Sequence, residues 1–234
     1  ATDGNDTING FAFADTIKGG LGDDTLAGGE RSDTYLYNAG DGADLINEAE
    51  FGGEGDTLVF GAGLTDANVE VTRVGSGVKV TFAGYEGSVT LLNQYNTAYG
   101  GLEQIVFGNG ATWTRDQLLD VAWTRGTTGA DALVGTGRAD RFDAGEGNDV
   151  LTGGDGSDLY VIRSVSGTDR ITDFKASGAD KVEFREGVLI DFADLTAHSV
   201  QSGSDVTIAL AGGSLTLQGV QLSSLQASDF TFFA

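Results

Sequence analysis

Asp6, Asp15, Asp24 and Asp33 stand nine residues apart, and Asp44 follows after eleven. The rhythm returns at Asp131, Asp140, Asp149 and Asp158, again nine apart, with Asp169 eleven further on. Carboxylates gathered in an array repel one another unless a hard cation lies between them. These ten aspartates in register are therefore candidate ligands for a divalent metal. Calcium suits them, because it accepts about six to eight oxygens at loose geometry. Glycine-rich turns around the aspartates expose backbone carbonyls as further donors. In the first run these are Gly4, Gly20, Gly22 and Gly42, and in the second Gly129, Gly147, Gly154, Gly156 and Gly167. Glu48 and Asp173, the carboxylates that follow each run, complete the candidate set.

The spacing also dictates the elements that must hold these groups. An apolar residue follows each aspartate two positions later: Ile8, Ile17, Leu26, Tyr35 and Ile46, then Leu133, Phe142, Leu151, Tyr160 and Ile171. Such a period fits no helix face. It reads as six residues of turn and three of strand, best seen in Gly19-Gly20-Leu21-Gly22-Asp23-Asp24-Thr25-Leu26-Ala27. The central strand residue points inward and its neighbours point out. A strand so short buries too little to stand alone, so successive turns must stack as a solenoid. With two turns per coil, Asp6 should face Asp24 and Asp15 should face Asp33. Likewise Asp131 should face Asp149, and Asp140 should face Asp158. Asp44 and Asp169 close the last sites, giving about six to eight ions of six or more oxygens each. Phe13, Arg31 and Arg138 occupy turn positions that favour glycine, where a left-handed conformation costs about 1 kcal/mol or more.

Composition narrows the chemistry. The chain has 234 residues, 35 acidic and 13 basic, for a formal charge of −22, and 25 of the acids are Asp. That balance excludes nucleic acid, which needs a basic footprint. Hydrophobic residues make up 40%, enough for a core once the charge is neutralised. Cysteine is absent, so no disulfide contributes. No apolar run is long enough for a membrane helix. The opening Thr2-Asp3-Gly4-Asn5-Asp6 is polar turn sequence, unlike a signal peptide, and the expectation is a fragment or processed product. An enzyme reading fails on inventory. His198 is the sole histidine, which rules out HExxH, and neither cysteine nor a Gly-x-Ser-x-Gly elbow is available.

The two aspartate runs are offset by 125 residues, position for position. After each comes a further turn, Gly55-Asp56-Thr57-Leu58 or Gly178-Ala179-Asp180-Lys181-Val182. Alternating segments then read as strands at Val69–Val74, Val78–Ala83 and Ser88–Leu92, and at Ser199–Gln201, Val206–Leu210 and Ser214–Leu217. Between the halves, Leu102–Phe107 reads as a strand. Thr114-Arg115-Asp116-Gln117 reads as a capping box opening a short helix to about Ala122. Trp113 and Trp123 bracket it and serve packing more often than sugar stacking. The expected architecture is all-β. It has two parallel β-roll solenoid blocks, each followed by a small antiparallel β flank, and one short helix between modules. The expected domains are 1–125 and 126–234.

The repeat GGxGxDxUx, with U a large apolar residue, resembles the RTX (repeats-in-toxin) family of secreted bacterial proteins. It covers roughly residues 1–47 and 126–172. The stretch from Phe60-Gly61-Ala62-Gly63-Leu64 to Trp113 resembles the domain that often follows haemolysin-type calcium repeats. Asp169-Arg170-Ile171-Thr172-Asp173-Phe174 and the tail beyond resemble the C-terminal region of serralysin-type proteases. The ending Asp229-Phe230-Thr231-Phe232-Phe233-Ala234 is similar to endings of type I secretion substrates, and reads equally as a last β-strand. The resemblance implies calcium ions as ligands, type I secretion machinery as a partner, and a secreted or cell-surface bacterial location. It leaves two further classes open. One is a calcium-dependent polysaccharide-binding module like the R-modules of alginate epimerases. The other is a surface-layer, adhesin or filament protein that self-associates.

Overall fold

The computed structural model describes residues 2–48, 55–96, 101–163, 167–175 and 179–234. Gly178, part of one expected turn, lies outside them. The chain forms two compact units, Ala1–Ala122 and Trp123–Ala234.

In the first unit, strands alternate between two sheets, as a nine-residue turn-and-strand period requires. β1 (Thr7–Asn9), β3 (Thr25–Ala27), β5 (Ala43–Ile46) and β9 (Ser88–Leu91) run parallel in one sheet. β2 (Thr16–Lys18), β4 (Thr34–Tyr37), β6 (Thr57–Phe60) and β10 (Gln104–Val106) run parallel in the other. Threonine opens β1, β2, β3, β4 and β6, and its branched side chain suits a half-buried strand. β7 (Val69–Val74) and β8 (Gly77–Phe82) extend the first sheet antiparallel beside β9. β11 (Thr112–Thr114) closes the second antiparallel to β10. The register stacks like on like: Ile8, Leu26, Ile46 and Leu91 form one ladder, and Ile17, Tyr35, Leu58 and Ile105 the other. Both ladders meet in one core. Each fully buried Leu or Ile there contributes roughly 1.5–3 kcal/mol.

The second unit repeats this plan. β13 (Ala132–Thr136), β15 (Val150–Gly154), β17 (Thr168–Ile171) and β21 (Gly213–Leu217) run parallel, with β20 (Asp205–Leu210) and β19 (Ser199–Ser202) antiparallel at their flank. The facing sheet runs β12 (Trp123–Arg125), β14 (Arg141–Asp143), β16 (Leu159–Ile162), β18 (Lys181–Phe184) and β22 (Phe230–Phe232), all parallel. Phe142 and Tyr160 stack with ring centroids 5.2 Å apart in this ladder.

The expected helix is present as α1 (Arg115–Val121), with the Thr114–Gln117 capping box formed at its start. A second helix was not expected: α2 (Phe192–Ala197), capped by Asp191. At six residues it is too short for its apolar period to be read from sequence. The strained turn residues also differ from expectation. Arg31 adopts φ 85°, but Phe13 and Arg138 avoid the left-handed region, while Phe11 enters it at φ 78°. Of the two tryptophans, Trp113 packs edge-on against Phe107 in the core, and Trp123 lies under the Arg141 guanidinium at 4.3 Å. No helix among the described residues is long and apolar enough to cross a membrane.

Candidate metal centres

Stacking the coils threads the aspartates into four columns. In the first, the Asp6 backbone N–H donates to Asp24 Oδ1 at 2.8 Å, and that of Asp24 to Asp44 Oδ1 at 3.1 Å. In the second, Asp15 N–H donates to Asp33 Oδ1 and Asp33 N–H to Asp56 Oδ1, both at 2.8 Å. The second unit matches this, with Asp131 to Asp149 to Asp169 in one column and Asp140 to Asp158 to Asp180 in the other. Alternate aspartates are thus brought together, as two turns per coil demands.

Each bond fixes Oδ1 of the accepting aspartate, and only at Asp180 does a second N–H, that of Lys175 at 2.7 Å, take Oδ2 among these described acceptors. At Asp15, Asp24, Asp33, Asp56, Asp149, Asp158 and Asp169, Oδ2 is buried with no hydrogen-bond partner. An unpaired buried acceptor costs roughly 1–3 kcal/mol, and more when charged. The oxygen is directed into its own turn. A Cβ added at Gly19, Gly28 or Gly153 would strike the Oδ2 of Asp24, Asp33 or Asp158. Backbones also approach closely between coils: a Cβ on Gly22, at φ 112°, would lie 2.7 Å from the Gly4 carbonyl carbon.

The cost appears in the titration of these groups. Burial, reinforced by neighbouring carboxylates, pushes Asp44, Asp56, Asp158 and Asp169 up to about 6. Burial likewise raises Asp33, Asp149 and Asp180. Glu48 reaches about 7 from burial, offset in part by the Gly28 N–H it accepts at 3.0 Å. Its counterpart Asp173 accepts from Gly153 and Gly154 N–H at 3.0 and 2.9 Å.

Three aspartates differ. Oδ2 of Asp6, Asp131 and Asp140 accepts both the N–H and the hydroxyl of the threonine four residues earlier: Thr2, Thr127 and Thr136. For Asp6 and Asp131 these bonds hold the carboxyl below its ordinary value. Among the glycines, Gly42 and Gly167 already use their carbonyls to accept Ser88 and Ser214 N–H, and Gly42 also accepts the Tyr37 hydroxyl. Gly4 and Gly129 N–H donate to the Thr2 and Thr127 hydroxyls. Gly20, Gly22, Gly147, Gly154 and Gly156 all have the positive φ that their turns need.

Three column members escaped the sequence reading. Asp56 and Asp180 cap the second and fourth columns, and Glu103 Oε2 accepts the Asp56 N–H at 2.7 Å. Asp56 and Asp180 sit in recognised turns but lie 23 and 22 residues beyond their column partners, off the period. Among the described residues, no group of three or more His, Cys, Asp or Glu side chains is arranged to hold a metal alone. His198 caps the C-terminus of α2, half exposed, its Nδ1 3.1 Å from Asp194 Oδ1.

Residues 1–35 and 125–160 match the family model of the RTX calcium-binding nonapeptide repeat (4 copies). Residues 78–117 match that of the haemolysin-type calcium binding protein related domain. Among solved structures, the chain is similar to the extracellular lipase LipA from Serratia marcescens, at 21% identity and a TM-score of 0.40. The match covers 98% of this chain and 38% of the lipase chain. No curated protein matches the chain.

Proposed function

We propose that this chain, which carries RTX calcium-binding nonapeptide repeats and a haemolysin-type calcium binding related domain, is a module that folds on binding calcium outside the cell. It supports type I secretion of a bacterial exoprotein. The observation that carries this reading is the set of seven buried aspartate oxygens without a partner. In six of the seven, all but Asp15, the other oxygen is already fixed by the N–H of the preceding column member. The residues assigned to hold calcium are Asp15, Asp24, Asp33, Asp44, Glu48 and Asp56 in module 1–125. In module 126–234 they are Asp149, Asp158 and Asp169, whereas both oxygens of Asp173 and of Asp180 already accept backbone N–H groups. Two stacked carboxylates with turn carbonyls would meet calcium's demand for about six or more oxygens, which suits a chain without a dense carboxylate cage. Asp6, Asp131 and Asp140 enter the columns as N–H donors to the next aspartate.

Calcium supplies the positive charge that lets the columns close, and the chain supplies everything else. The coil register aligns the carboxylates, the inward ladders hold the coils together, and the glycines let backbone approach backbone. About six to eight ions are proposed. At a site affinity of about 0.1 mM, about 10 mM calcium adds roughly 2.7 kcal/mol per site. Several such sites together exceed the usual stability of a domain, about 5–15 kcal/mol. No catalytic residue is assigned. The test is far-UV circular dichroism with calcium and with excess chelator. A native β signal in chelator would sink the proposal.

A second reading, calcium-dependent self-association at a cell surface, draws on Phe11 and Phe13 in the first coil, 72% and 78% exposed. Electron microscopy and light scattering after calcium addition separate it from a monomeric module.

A further inference from the structure

The aspartate turns fall into two kinds, and the residue four positions before the aspartate sorts them. Before Asp15, Asp24, Asp33, Asp149 and Asp158 stand Phe11, Gly20, Gly29, Gly145 and Gly154. All five have positive φ, between 78° and 102°, and all five aspartates have a buried Oδ2 without a partner. Before Asp6, Asp131 and Asp140 stand Thr2, Thr127 and Thr136, none of them left-handed. A branched side chain disfavours positive φ, so these turns take another path. On that path the threonine N–H and hydroxyl both face the carboxylate.

Thr2 and Thr127 are equivalent under the 125-residue offset and open their runs. Thr136 is different, because its equivalent in the first run is Phe11. Asp15 and Asp140 are therefore matched positions in opposite states. Asp140 is buried, and its Oδ2 accepts Thr136 N–H at 2.6 Å and the Thr136 hydroxyl at 2.7 Å. The hydroxyl in turn accepts the Arg138 N–H at 3.1 Å. Calcium would have to displace both donors to reach this oxygen.

We propose that Thr136 closes the cation position of Asp140, so the second run takes one ion fewer than the first, where the matched Asp15 stays open. The residue four before each aspartate decides whether that turn binds. The proposal rests on the calcium reading above.

The test is calcium stoichiometry of the full chain, by native mass spectrometry and isothermal titration calorimetry. D15A should lower the wild-type count by at least one, while D140A should leave it unchanged. T136G, which permits the left-handed turn and removes the hydroxyl, should raise the count by one. T136S should not change it, and T136G combined with D140A should return to the wild-type count. A D140A variant that loses an ion overturns the closure, whether or not T136G folds. So does a folded T136G with an unchanged count. A wild-type chain that binds no calcium overturns the calcium reading itself, an outcome distinct from either.

Discussion

Glu48 shows what a single buried carboxyl does in this fold. Its carboxyl is pushed to about 7, and those of Asp44, Asp56, Asp158 and Asp169 to about 6, because burial penalises their charge. A raised carboxyl favours the folded chain while it is protonated. Its contribution is full below the ordinary value, near pH 4, and is lost as pH rises through about 6 to 7. Without calcium, the chain should therefore be more ordered at pH 5 than at pH 7.5. With calcium the sign reverses, because ligands must be deprotonated: apparent affinity should fall as pH drops from 7.5 to 5. Circular dichroism in chelator and calcium titrations at the two pH values check both directions. Calcium-free order that increases with pH would contradict the first. E48Q, which cannot ionise, should flatten the part of the calcium-free pH response nearest 7.

At the scale of elements, each ladder adds an apolar residue for every coil, so the solenoid is as strong as its tightest rung. Leu151 is fully buried between Leu133 and Ile171. L151A should cost about 2–5 kcal/mol in calcium. Chemical denaturation measures it, and a loss below 1 kcal/mol would mean the coils are not held by this ladder. Such rungs were legible in sequence because turn and strand share one period, and the period also placed alternate aspartates in one column. It stopped where the period stopped. Asp56 and Asp180 follow longer connections, and Glu103 reaches Asp56 only because β10 returns beside β6 after 47 residues. No local pattern marks such a return. The turn of Asp140 was legible as irregular, but Arg138 drew attention where Thr136 makes the bonds.

For the whole molecule, a charge of −22 opposes compaction until cations neutralise it. The C-terminal segment is tied into that transition. β22 pairs with β18, Phe230 packs on Phe174, Phe184 and Phe192, and Asp229 pairs with Lys175 Nζ at 2.9 Å. In the folded chain that segment is a strand; under the proposed function it is free in the expanded, calcium-poor chain. A segment read by an export machine must therefore be read before calcium is met. Weak extracellular sites bind at roughly 0.1–1 mM, far above cytosolic levels, and sites of that strength in this chain would set the proposed order of events. Two classes of variant should then separate. Replacing Asp24, Asp33, Asp149 and Asp158 with Ala should leave export intact and prevent compaction afterwards. F230A should also be exported, but fold about 3–5 kcal/mol less stably. Deleting Asp229–Ala234 should abolish export as well as weaken the fold. Secretion assays paired with denaturation of the exported protein provide the readout. Normal export of the deletion variant would confine this segment to its structural role as the last strand of the second unit.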